Sequence, residues 1–410
     1  MKKSALFIAY HFPPIAVSSG VHRVVSLANA MSSNGWDVTV LSASVKTYER
    51  TDPETLDQVS PSIKISRSIA YDTARQLSIK GKYLQWMALP DNLQSWVFFG
   101  VIRGLKEIYK SRPNVLISTY PIASAHLIAI ILNYITGIPW VCDFRDPMAQ
   151  PGYPANPTKW KFFNWIEKQA AKRAARLVFA TSGALKEYKK RYPDVNKSTW
   201  LLITNGYNES QYQHILPQIR DDNIIKIVHS GLVYIHERNP RSLFEAISAL
   251  KEDGFLRAEN VQFIFRASGH EETYAEWLNE LSVADIIKLE PQIPYKDALQ
   301  EMFNADGLLL LQGDGCNQQI PAKAYEYLRA QRPVLALTDE AGDTALLLKE
   351  NQVADIAPLD DVTAISDSIR NFIKRIENKN HTTLNLESII CYSRQNIAEK
   401  WVNDIEGLIQ

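Results

Sequence analysis

Short apolar runs that alternate with helical periods, twice over, constrain this 410-residue chain more than any other feature of it. ALFIAY (5–10) is followed by a loop, HFPPIAVSSG, and then by Val21, Val24, Val25, Leu27, Ala28 and Met31 at helical spacing. Asn34-Gly35 stops that helix, and WDVTVLSA reads as the next strand. A strand that is apolar on both faces must be covered on both, which a parallel sheet wrapped by helices achieves. The pattern continues through NVLIST, a helix from about Pro121, PWVCDF, a helix around Trp160 to Ala175, RLVFATS and WLLITNG. After Asn205-Gly206 comes a polar stretch without a period, YNESQYQHILPQIRDDN. A second series then runs IIKIVHSG, a helix at 240–250, VQFIFRASG, a helix near 272–281, IIKLEPQIP, a helix at 295–304, DGLLLLQ, a helix from Pro321 and PVLALT. The expected fold is α/β, two doubly wound halves with a cleft between them. The expected division is 1–207, a linker at 208–223, 224–385, and a C-terminal helix within 386–410 that packs through Ile397, Trp401, Ile405 and Leu408 on one domain, the N-terminal one being a candidate.

Charge and cysteine usage narrow the function. Lys+Arg and Asp+Glu are 45 each, so nothing global points to nucleic acid. Cys142, Cys316 and Cys391 form no CxxC pair, which fits a reducing, cytoplasmic setting and no zinc site. The opening MKKSALFIAYHFPP breaks at Tyr10, His11 and two prolines, where a signal peptide would continue. The apolar stretch 123–140 is interrupted by His126, Asn133, Gly137 and Pro139 and reads as a core helix running into a strand rather than a membrane span. Residues 159–191 carry ten basic side chains against Glu167 and Glu187, with Trp160, Phe162, Phe163 and Trp165 interleaved. That segment is either a solvated face over core aromatics or a contact for an anionic membrane surface, which would make the protein peripheral at the inner face of the cell membrane.

Ligands of open parallel sheets collect beyond the carboxyl ends of the strands, where helix N-termini offer free N–H groups. In HSGLVYIHERNP, Gly231 lets backbone approach a ligand, and Arg238 supplies a planar fork for a phosphate pair. In GDGCNQQIPAKAYEYL, Pro321 suits a first helical position, Gln319 and Ile320 are expected to aim amides outward, and Glu326 stands where a carboxylate can accept from ribose hydroxyls. DFRDPM puts Asp143, Arg145 and Asp146 at a strand end, either to orient an acceptor hydroxyl or to form an interdomain ion pair. The chain has no GxGxxG, no GxxxxGK[ST], no DxD and no His/Cys ligand cluster, so no cofactor and no metal are expected.

Taken in order, these motifs resemble the retaining family 4 glycosyltransferases with the GT-B fold, two Rossmann-like domains facing across a cleft. HFPP with SSGVHRVVSLANAMSSNGWDVTVLSA looks like that family's opening loop, helix and second strand, and WLLITNGYN like its "NG-x-D" strand end, with Asn208 in place of Asp. HSGLVYIHERNPRSLFEAI resembles the segment in which a basic pair grips the donor diphosphate; Arg238 matches the second basic residue, while Leu232 replaces the first. QQIPAKAYEYLRAQRPVLAL resembles the E-x7-E region and a subgroup pattern "IP-x-K-x-x-E-Y-L" found in polysaccharide-building enzymes, with Glu326 at the second Glu and Gln318 at the first. Gln292 and Ile293 match backbone that contacts the base, and Arg145 falls near an active-site His of relatives.

The resemblance implies a nucleotide diphosphate sugar as donor, a substrate rather than a cofactor, and a glycan or lipid-linked oligosaccharide acceptor in surface polysaccharide biosynthesis. It implies catalytic roles for Arg238, Lys323, Gln318, Asp143, Arg145 and Asp146. Donor binding would fall to Gly231, Arg238, Gln292, Ile293, Gln319, Ile320 and Glu326, and the acceptor side to His11, Ser19, Gly20 and Asp146. Two further readings stay open: a nucleotide-sugar epimerase or hydrolase of the same fold, and a non-catalytic sugar-nucleotide-binding partner, which the neutral Gln318 and Leu232 motivate.

Overall fold

A computed structural model of the chain describes residues 3–16, 19–216, 218, 222–378 and 385–409. The chain divides into two compact units, Met1–Asn205 with Arg394–Gln410, and Gly206–Ser393.

The first unit runs β1 (Ser4–Ile8), α1 (Ser19–Ser33), β2 (Asp37–Ala43), β3 (Lys64–Ser68), α2 (Thr73–Gln76), α3 (Gln94–Ser111), β4 (Val115–Thr119), α4 (Ala123–Thr136), β5 (Trp140–Arg145), α5 (Pro157–Arg173), β6 (Arg176–Phe179), α6 (Ser182–Arg191) and β7 (Trp200–Leu202). Its sheet is parallel throughout, in the order β3-β2-β1-β4-β5-β6-β7. One face buries Trp96, Ile128, Leu132, Phe163, Ile166 and Tyr188 from α3 to α6, and the other buries Val24, Leu27 and Met31 of α1. β3 and α3 escape the sequence pattern for physical reasons. β3 is a polar edge strand, KISRS, and α3 carries Gly100 and Gly104, which read as breakers. Both glycines are there for packing: a Cβ at either would come within 2.6 Å of Ile128 or Leu132 of α4.

The second unit runs β8 (Ile225–Ser230), α7 (Arg241–Glu252), β9 (Val261–Arg266), α8 (Glu271–Glu280), β10 (Ile287–Glu290), α9 (Tyr295–Asn304), β11 (Gly307–Leu311), α10 (Ala322–Ala330), β12 (Val334–Leu337), α11 (Asp343–Glu350), β13 (Ala354–Ala357), α12 (Val362–Glu377) and α13 (Leu386–Ile389). Its parallel sheet has the order β10-β9-β8-β11-β12-β13. The last helix, α14 (Arg394–Ile409), belongs to the first unit, where Ile397, Trp401, Val402 and Ile405 pack against α1 and Asp404 pairs with Arg176 at 2.9 Å.

The stretch expected to be a linker at 208–223 is, up to Leu216, packed structure of the second unit. Tyr207, Tyr212 and Ile215 are buried in its core, and Arg329 forks onto both oxygens of Glu209 at 2.8 and 2.7 Å. The aromatic residues that anchor it are spaced without a period, so only the tertiary fold reveals them. Residues 217 and 219–221 lie outside the described residues. Among the described residues no helix is long and apolar enough to cross a membrane.

Candidate functional site

In each sheet the strand order reverses at one point, between β1 and β4 in the first unit and between β8 and β11 in the second. At such a point the connecting helices diverge to opposite faces and leave a crevice beyond the strand ends.

The crevice of the second unit gathers most of the donor-side residues. Gly231 leaves β8 at φ +97°, a backbone conformation that side chains with a Cβ rarely adopt, and it lies beside the Lys323 ammonium, which a Cβ there would meet at 3.6 Å. Lys323 sits in the first turn of α10, where backbone N–H groups lack helical partners. Its Nζ lies 3.1 Å from Nε2 of His229, and its surroundings, with Arg238 nearby, bring its pKa down to about 7. The cause is burial first and the like charge of Arg238 second. Arg238 leans on the Tyr234 ring at 5.6 Å, and its buried Nε has no hydrogen-bond partner among the described residues. A buried guanidinium donor without a partner is costly unless something absent from the protein accepts from it. Glu326 is one turn along α10 and accepts from the Tyr295 hydroxyl at 2.6 Å, tying the ribose candidate to the β10–α9 loop that carries Gln292 and Ile293.

The loop before α10 corrects one expectation. The Gln319 amide does not point outward: it donates to Cys316 O at 2.9 Å, closing a tight turn. Its carbonyl accepts from Gln312 Nε2 at 2.9 Å and Thr344 Oγ1 at 3.1 Å. Pro321 caps α10 rather than opening it, Ile320 packs on the core, and Gln318 is partly buried in the same loop.

At the crevice of the first unit, the end of β5 bulges between Asp143 and Arg145, and Arg145 takes φ 61°. A positive φ in a long side chain is an outlier that the surroundings must enforce, and bulges re-aim side chains beside sites. Arg145 is only 7% exposed, donates Nη1 to Tyr120 O at 3.3 Å, and has no partner for its Nε among the described residues. Burial, reinforced by Arg145, brings His11 down to about 4, and burial pushes the Asp146 carboxyl up while Arg145 pulls it back. His11, Arg145 and Asp146 are therefore brought together. Asp143 is not free to join them: Arg23 of α1 grips both its oxygens at 2.9 and 3.0 Å, an ion pair inside this unit rather than between domains. Gly20 is buried in the first turn of α1; Val17, Ser18 and the Ser19 side chain lie outside the described residues.

Residues 19–206 match a family described as glycosyl transferase 4-like domain. That match falls wholly within the first unit. No curated protein matches the sequence. Among solved structures it is similar to the Anabaena protein HepE in complex with UDP-glucose, with TM-score 0.66, 12% identity, and 98% of this chain and 99% of that one covered. It is likewise similar to a sucrose-phosphate synthase from Thermosynechococcus elongatus, at 0.61 and 14% with 100% and 95% covered. A Neisseria meningitidis UDP-GlcNAc 2-epimerase bound to UDP-GlcNAc gives 0.55 and 12%, with 99% and 100% covered. These likenesses establish the GT-B architecture of two Rossmann-like domains.

The crevice also holds residues that the sequence did not single out. A Cβ at Gly313 would lie 2.0 Å from the Glu237 carbonyl, so only glycine lets the loop after β11 press against the loop after β8. Gln312 holds that loop from beneath through Cys316 O and Gln319 O. His229 carries Lys323, and Tyr295 carries Glu326. Each depends on a neighbour distant in sequence, which no local motif reports. On the 159–191 segment Arg176, Arg191 and Arg173 are engaged by Asp404, by Glu167 and Glu187, and by the Tyr134 ring. Lys161, Phe162, Trp165, Lys168 and Lys172 line the exposed side of α5. Among the described residues no three His, Cys, Asp or Glu side chains gather as a metal site would need.

Proposed function

We propose that this glycosyltransferase moves a hexosyl or related group, with retention and without a metal, from a nucleotide diphosphate sugar bound by the second unit to a glycan or lipid-linked oligosaccharide held by the first. The observation that carries the reading is the unsatisfied cationic cradle at the β8/β11 switch point. Among the described residues Arg238 Nε lacks an acceptor, and Lys323 hydrogen-bonds a neutral imidazole rather than a carboxylate. A pyrophosphate supplies the acceptor oxygens and the negative charge that both lack. In this reading Glu326 holds the ribose, Gln292 and Ile293 flank the base, and Gln318 hydrogen-bonds the sugar. His11, Arg145 and Asp146, with Ser19 and Gly20, position the acceptor hydroxyl.

As the glycosidic bond breaks, negative charge grows on the leaving diphosphate. Two cations and the α10 amides aimed there lower the barrier without the protein forming a covalent bond. The diphosphate then takes the acceptor proton on the same face, which retains configuration. The product is placed in surface polysaccharide synthesis at the inner face of the cell membrane. There the lysines of α5, with Phe162 and Trp165 between them, contact anionic lipid. Sedimentation with anionic but not neutral vesicles is the expected result, and equal partition onto both removes the membrane from the account.

The test of the reaction is product analysis. Purified protein incubated with UDP-, GDP-, ADP- and dTDP-sugars and a lipid-linked oligosaccharide acceptor is expected to give a glycoside whose anomeric configuration matches the donor. The epimerase neighbours keep one other reading in view. Free epimerised sugar formed without acceptor would favour it over transfer.

A further inference from the structure

His229 is a buried polar residue of the second unit to which the sequence motifs assign no role. It is the last residue but one of β8, with 1% exposure, beneath the donor crevice. Its Nδ1 stands 3.0 Å from the Leu309 carbonyl on the neighbouring strand. A carbonyl only accepts, so Nδ1 carries the proton and Nε2 presents its lone pair. That lone pair meets Lys323 Nζ at 3.1 Å. Phe265 packs beside the ring with centroids 5.7 Å apart.

The groups that face Lys323 are few. From β8 there is the His229 ring with the Gly231 backbone, from the β8–α7 loop the Arg238 guanidinium, and from α10 itself Glu326, whose carboxylate is engaged by Tyr295. No carboxylate is hydrogen-bonded to the lysine among the described residues. The cation thus has a neutral partner on one side and a like charge on another. Burial and the charge of Lys323 also hold His229 well below its ordinary pKa, so the imidazole stays neutral and keeps its lone pair available.

We propose that His229 is a positioning residue for Lys323, and that a donor diphosphate binds together with one proton, which Lys323 takes from solvent. This rests on the donor site proposed above. In the unliganded crevice the amine exchanges between its neutral form and the ammonium near neutral pH, and in both forms it bonds His229. An arriving pyrophosphate brings the counter-charge that fixes the ammonium. The balance is simple: amine plus proton gives ammonium, and the diphosphate enters and remains ionised. The sign follows from linkage. Affinity is level below the free lysine's pKa of about 7 and falls as pH rises above it, by about tenfold per unit, until the bound lysine also deprotonates.

Isothermal titration with UDP-, GDP-, ADP- and dTDP-glucose, in buffers of contrasting ionisation enthalpy from about pH 6 to about pH 9, tests this directly. Nucleotide sugars are suitable probes because their own phosphates do not titrate in that range. For whichever sugar binds, the expected result is a buffer-dependent heat equal to uptake of up to one proton, with the tenfold-per-unit decline. Lys323→Arg, permanently charged, is expected to bind with no proton uptake and a flat profile. His229→Leu is expected to weaken binding at least tenfold across the range with the melting transition retained, and His229→Gln, whose amide oxygen can accept from the lysine, to restore most of it. A second readout guards against misfolding of the leucine variant, since the wild-type heats need no substitution. Wild-type binding with buffer-independent heats and no pH slope overturns proton coupling, and equal binding by His229→Leu overturns positioning, while leaving the donor site standing. Failure of every nucleotide sugar to bind the wild type overturns the donor site and this inference with it.

Discussion

Removing Arg238 is the most direct test at the scale of single residues. Arg238→Ala is expected to lower kcat by about 10²–10³, the usual loss when one preorganised donor to a developing anion is deleted, with little change in the melting transition. Arg238→Lys is expected to recover only part, because a point charge cannot reproduce the fork. Steady-state kinetics beside a thermal melt checks both, and unchanged turnover in Arg238→Ala removes the residue from the mechanism. At Gly313 the expected outcome is different. An alanine Cβ 2.0 Å from Glu237 O forces two loops apart, so Gly313→Ala should raise the donor KM while costing about 1–3 kcal/mol of stability, readable in the same two assays. Arg238, Lys323, Gly231 and Glu326 were legible in the sequence because each sits at a fixed offset from a strand end or helix start. His229, Gly313 and Tyr295 were not, since what each does is decided by a partner on another strand or loop.

Buried polar ties between elements predict stability rather than turnover. Arg23 of α1 holds Asp143 of β5 bidentately and reaches Ile203 O at 2.8 Å and Thr204 O at 3.1 Å, joining three parts of the first unit. Arg23→Met leaves a buried carboxylate uncompensated and is expected to cost about 3–5 kcal/mol in denaturant unfolding. His126 of α4 makes a second tie, 2.7 Å from Ser118 Oγ, which also accepts from Trp140 Nε1 at 2.7 Å. Burial brings His126 down to about 3, so folding holds it neutral. The sign is that its contribution is fully present above the unfolded pKa of about 6.5 and is lost as pH falls from there toward about 3. Chemical unfolding across that window should show the slope, and His126→Gln, which keeps a polar partner but does not titrate, should flatten it. At this scale the sequence read strands best where apolar runs are unbroken. It missed α3, where Gly100 and Gly104 serve close packing, and it stopped short of α11, β13 and α12, although Ile365, Ile369, Phe372 and Ile373 of α12 recur at helical spacing.

On the scale of the whole molecule, α14 shows how the chain's last residues complete its first unit. Ile397, Trp401, Val402 and Ile405 cover the face of α1, and burying each large side chain contributes about 1.5–3 kcal/mol. A chain ending at residue 393 should therefore lose the first unit's cooperative melt while the second unit keeps its own, which calorimetry resolves. The two-sheet plan was legible because strand and helix periods alternate twice. Where the chain crosses between units was not, because Tyr207, Tyr212 and Ile215 look like linker residues until their core is assembled. The account as a whole stands on one location, the cationic cradle where β8 and β11 part. The crystal structure of the protein with the nucleotide sugar that binds best measures it most directly. The account predicts the pyrophosphate within hydrogen-bonding distance of Arg238 Nε and Lys323 Nζ, at the N-terminus of α10. A pyrophosphate bound elsewhere, with Arg238 Nε still lacking an acceptor, would contradict it.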